Sequence, residues 1–131
     1  MSATATALSA YASASASTAS PHEIVRMAYE RVLTACDRST AASTIRSSGW
    51  IQTFHDETVR AQAILAELMS VLAIDHVDEA VSSLSRQLDD LYSYCIAQLV
   101  DANLAKDPTP LKAVHMVIDG LHDAWVNQEM V

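Results

Sequence analysis

Glycine and proline are scarce in this chain of 131 residues, two and three respectively, and a single phenylalanine helps keep the aromatic share at 5%. So little turn-forming residue beside so much alanine and leucine suits helices rather than sheets. With only Gly49 and Gly120 available, a glycine-rich loop able to cradle phosphates is excluded, and no serine elbow of the hydrolase type occurs. Cys36 and Cys95 are the only cysteines. They form no CxxC pair of the kind a cysteine zinc site uses, and both fall on apolar helical positions as buried free thiols. Basic residues number 8 against 16 acidic ones, giving a formal net charge of -8. That balance lacks the clustered Lys and Arg that nucleic acid or an anionic membrane surface requires. No apolar run approaches the roughly 18 residues of a membrane span, and no basic, apolar signal segment opens the chain. The expected location is the cytoplasm.

What is present is half hydrophobic by residue, enough to build one core in one domain without staples. Residues 1–19 are almost wholly Ala, Ser and Thr around Tyr11, too poor in apolar area to offset ordering entropy. They are expected to form a mobile arm, and the remainder, 20–131, a helical domain. Ser20-Pro21-His22-Glu23 is a helix start, with Ser20 as N-cap, Pro21 at the first helical position and Glu23 reaching back. Val25, Ala28, Tyr29, Val32, Ala35 and Cys36 then share a face. The Ser- and Thr-rich stretch 37–49 lacks that rhythm and reads as a loop. Ile51, Phe54, Thr58, Ala61, Leu65, Leu68 and Leu72 give a second helix over 50–73, and Ile74-Asp75-His76 a short link. A third helix runs over 77–106, and Asp107-Pro108-Thr109-Pro110 ends it. A fourth carries Leu111, Val114, Ile118, Leu121 and Trp125. Four amphipathic helices joined mostly by short links predict an all-α, antiparallel four-helix bundle.

The third helix carries more apolar surface than the others. Val77, Val81, Leu84, Leu88, Leu91, Cys95 and Ala102 follow a 4-3 spacing that predicts the core stripe. Tyr92, Ile96 and Leu99, closed by Asn103, line an adjoining strip. That strip reads either as more bundle core beneath two flanking helices or as a groove for an amphipathic partner helix. His115, Asp119 and His122 share one face at i, i+4 and i+7, a spacing able to offer ligands to a metal. Without Glu-x-x-His pairs the face reads instead as solvated side chains, and no cofactor is expected. Paired carboxylates such as Asp89-Asp90 diverge on a helix, so no catalytic constellation emerges and the chain is not expected to be an enzyme.

The order of several short blocks resembles the FliS family of flagellin export chaperones. Tyr11 is followed by Thr18-Ala19-Ser20-Pro21, then Glu23, Met27 and Tyr29. Glu67-Leu68 and Leu72 come next, then Leu91-Tyr92-Ser93-Tyr94, Leu99-Val100, Ala102-Asn103 and Asp107, and finally Leu111 and Leu121 to Trp125. Glu30-Arg31 departs from the residues commonly found after the first-helix tyrosine, as do Ile74 to Val77, where glycines are frequent, and His122, where a basic residue is common. The resemblance implies a cytoplasmic four-helix chaperone that binds the C-terminal segment of flagellin, blocks premature polymerisation and presents the client to the flagellar type III export gate. A homodimer is open as a further association. Tyr11, Tyr92 and Asn103 match motif positions and are expected to meet the client, with the arm able to lie over the same surface. Ile96, Leu99 and Val100 join them from helical geometry. The competing readings are a helical adaptor for another client and a metal-dependent bundle enzyme using His115, Asp119 and His122.

Overall fold

A computed structural model describes residues 20–129. The proposed arm, and Tyr11 with it, therefore lies outside the described residues. Four helices follow one another: α1 (Pro21–Ile45), α2 (Trp50–Ser70), α3 (Glu79–Ala105) and α4 (Leu111–Glu129). Among the described residues there is no strand. Close contacts join α1 to α2, α2 to α3 and α1 to α4, with α3 and α4 the most loosely joined neighbours. The result is a four-helix bundle.

The helix starts follow from their caps. Ser20 Oγ accepts from the Glu23 amide at 3.1 Å while the Ser20 amide donates to Glu23 Oε2 at 3.3 Å, the reciprocal arrangement that satisfies two end donors. Asp78 caps α3 by accepting from the amides of Ala80 and Val81. Between α1 and α2 the backbone turns through Arg46 (φ 55°) and Gly49 (φ 82°). The second of these lies where a side chain would be strained, which accounts for one of the two glycines.

Helix α1 runs nine residues past Cys36, through the segment read as a loop. The buried row continues through Ser39 and Ser43, so the spacing Val25, Tyr29, Val32, Cys36, Ser39, Ser43 never breaks. Hydropathy failed there because hydroxyls occupy the inward positions. Ser43 Oγ and Thr44 Oγ1 each donate to the Thr40 carbonyl at 2.9 Å, absorbing the hydroxyls inside the helix itself. The link between α2 and α3 is likewise longer than expected, and Ser82 Oγ donates into it at the Ile74 carbonyl.

The core joins Val25, Tyr29 and Val32 of α1, Phe54, Ala61 and Leu65 of α2, Cys95, Leu99 and Ala102 of α3, and Leu111, Val114 and Ile118 of α4. Ile51, expected to be core, is exposed instead. Cys36 and Cys95 are buried free thiols. Burial pushes them up to about 12 and about 11, so both stay protonated and unreactive near neutrality.

Polar contacts close the α1–α4 seam. His122 Nε2 lies 2.8 Å from Glu30 Oε2, and Arg26 Nη1 donates to both oxygens of that same carboxylate. His115 Nε2 stands 3.6 Å from Asp37. Trp125 Nε1 donates to the His22 carbonyl at 2.9 Å, with the indole stacked on the His22 ring. The histidines considered as metal ligands thus reach toward α1 carboxylates. Among the described residues no group of three His, Cys, Asp or Glu side chains is placed to hold a metal ion.

Candidate functional site

Helix α3 positions every described residue that the sequence marked for partner binding, and its buried face decides which of them reach the surface. That face is Ser82, Ser85, Tyr92, Cys95, Leu99 and Ala102. It runs between the two strips that hydropathy distinguished. Serines hold the inward positions in the first half of the helix, which turns the neighbouring leucines outward.

Tyr92 is 2% exposed and Leu99 fully buried, so of the two readings of this strip they fit bundle core. Tyr92 points across the bundle to α1, its hydroxyl oxygen 2.6 Å from that of Tyr29. Burial raises the Tyr29 phenol above its ordinary value, and the hydrogen bond to Tyr92 partly offsets that rise. The stripe expected to be core shifts the other way: Val77 is 99% exposed, and Leu84 and Leu91 are exposed as well. Cys95 and Ala102 from that stripe remain buried.

Three of the marked residues stay together at the surface of the α2–α3 pair. Ile96 is half-buried and packs against the core edge. Val100, one turn further, is 37% exposed. Asn103 is half-buried, and its Nδ2 lies 3.1 Å from His55 Nδ1, a contact that ties α3 to α2. Lys106 Nζ donates to the Asn103 Oδ1 at 2.7 Å and to its carbonyl oxygen, fixing the amide from the other side. The antiparallel register that joins His55 to Asn103 brings exposed Val59 level with Val100, and exposed Ile51 and Leu104 continue the surface toward the helix ends.

Successive helical residues turn by about 100°, so Leu84, Leu91 and Tyr94 occupy the flank of α3 opposite Ile96 and Val100. All three are exposed. Hydropathy alone does not mark them as exposed, nor Val59, Ile51 and Leu104. The signal that could have found them was the row of inward serines, which marks the true core line of α3. Helix α3 therefore presents uncovered apolar side chains on both sides of its buried face. Such an arrangement can take up apolar groups of another chain reversibly.

Comparison with known proteins agrees with this architecture. The family described as Flagellar protein FliS matches residues 4–130. The Flagellar secretion chaperone FliS of Vibrio cholerae serotype O1 (strain ATCC 39315 / El Tor Inaba N16961) is 29% identical over 109 residues, covering 83% of this chain and 75% of that protein. With nearly its whole length matched and four helices in place, the chain belongs to the FliS family of flagellar proteins.

Proposed function

We propose that this chain is a flagellar export chaperone that binds the C-terminal segment of flagellin, which is disordered before assembly, and delivers it to the flagellar type III export apparatus. The family match over residues 4–130 carries the reading. The apolar groups on both flanks of α3 support it, because a segment that wraps the helix meets Leu84, Leu91 and Tyr94 on one side and Ile96, Val100 and Leu104 on the other. A client that orders only on binding buries a large apolar area yet spends much of the gain on its own ordering, which keeps the complex releasable. In this reading Asn103, which contacts His55 and Lys106, meets the client at the edge of the apolar strip. Tyr92 and Leu99 act from within, by holding the helix in register.

The same reading places the protein in the cytoplasm, where unassembled flagellin must be kept from polymerising. No described helix is long and apolar enough to cross a membrane. It assigns no catalytic step and no cofactor. Seeded flagellin polymerisation, followed by light scattering with increasing amounts of this protein, tests it. Suppression complete near one chaperone per flagellin is expected, and filaments that grow at the unassisted rate under excess chaperone would refute the reading.

A further inference from the structure

We infer that the tip of the bundle between α1 and α2 is a second docking surface, separate from the α3 flanks, and that it takes an acidic amphipathic segment of another protein. Of the 16 carboxylate side chains in the sequence, none falls between Asp37 and Asp56, a stretch that contains Arg38 and Arg46. The adjoining α3–α4 turn adds Lys112, balanced by the ionised Asp107 carboxylate, which accepts from the Thr109 amide. In a chain of net charge -8, the carboxylate-free stretch with its two arginines is where an acidic partner meets the least repulsion.

The tip also has an apolar floor. A groove of about 260 Å³ is lined by Arg38, Ala42, Ile45, Ser48, Trp50 and Thr53. Ile45, the last residue of α1, is 73% exposed, although the fold requires no apolar side chain there. Arg46 Nε donates to the Ser43 carbonyl at 2.9 Å, and the guanidinium carbon sits 4.7 Å from the centre of the Trp50 ring. A cation is thus held beside the apolar floor rather than waving in solvent. Arg38 Nη1 stands 3.9 Å from Glu57 Oε1, and its side chain is mostly exposed. The turn beneath the groove passes through the left-handed residues Arg46 and Gly49. One or two bulky apolar side chains fill such a groove, with carboxylates beside them meeting the two arginines.

A short synthetic peptide with Leu and Phe on one helical face and Glu on the other, labelled for fluorescence anisotropy, tests this against the full-length protein at low salt. A second peptide with Lys in place of Glu is the control. Saturable binding of the Glu peptide is expected, weakened about tenfold by Ile45→Asp and by Arg46→Asn, with both variants keeping the wild-type unfolding midpoint. Asparagine tolerates the left-handed backbone at position 46, so that variant isolates the cation. Val100→Asp, which disturbs the α3 flank, is expected to leave peptide binding unchanged, so this proposal and the flagellin reading can fail independently. Equal binding of the Lys peptide, or undiminished binding by both tip variants, would overturn the inference. So would wild-type self-association abolished by Ile45→Asp, because the tip would then be a contact between copies of this chain.

Discussion

Leu99 and Val100 are neighbours in sequence with opposite fates, one fully buried and the other 37% exposed. Deleting buried methyl groups removes transfer free energy and leaves a cavity, whereas trimming an exposed valine does neither. Leu99→Ala should lower unfolding stability in urea by about 2–5 kcal/mol, and Val100→Ala by less than about 0.5 kcal/mol. Comparable losses at the two positions would mean that the buried face of α3 is misplaced. A second residue, Ser39, is fully buried with a hydroxyl that has no hydrogen-bond partner among the described residues. A buried hydroxyl without compensation is unfavourable, and alanine is the better helix former. Ser39→Ala is therefore expected to raise stability by about 1 kcal/mol, measured by the same urea unfolding. A clear loss would indicate that the hydroxyl is satisfied after all.

At the scale of the helix, apolar periodicity was enough to count the elements, to place the starts at Ser20 and Trp50, and to find most of the inward residues of α2 and α4. It failed where serine does the work of a small apolar residue. Ser39 and Ser43 hid the last turns of α1, and Ser82 and Ser85 hid the true core line of α3, so spacing assigned Leu84 and Leu91 to the core and left Tyr92 and Leu99 open between core and groove. Contacts between distant elements were equally illegible, because nothing in the spacing of Glu30 and His122 announces that they meet. That meeting ties α4 to α1 and responds to acid. The hydrogen bond from His122, with Arg26 also contributing, holds the Glu30 carboxyl below the ordinary value of 4.5. A depressed folded-state value adds stability that is present above the ordinary carboxylate range and is lost as pH falls through the folded value. Glu30→Gln should flatten the decline of stability with acid below about pH 4.5, read from unfolding midpoints across an acid series. An unchanged acid profile would show that the seam contributes nothing to it.

For the whole molecule, the bundle is complete without a partner and still leaves apolar groups along both flanks of one helix. Membership of the FliS family gives that surplus a purpose in the proposed account. In that account a flagellin segment covers these apolar groups, while the Tyr29–Tyr92 hydroxyl contact joins α3 to α1. Isothermal titration of a flagellin C-terminal peptide into the wild type and into Val100→Asp tests this most directly. The account predicts saturable binding with a negative heat-capacity change, weakened about tenfold or more in a variant that unfolds at the wild-type midpoint. Absence of binding at about tens of micromolar, or equal affinity for the two proteins, would contradict it.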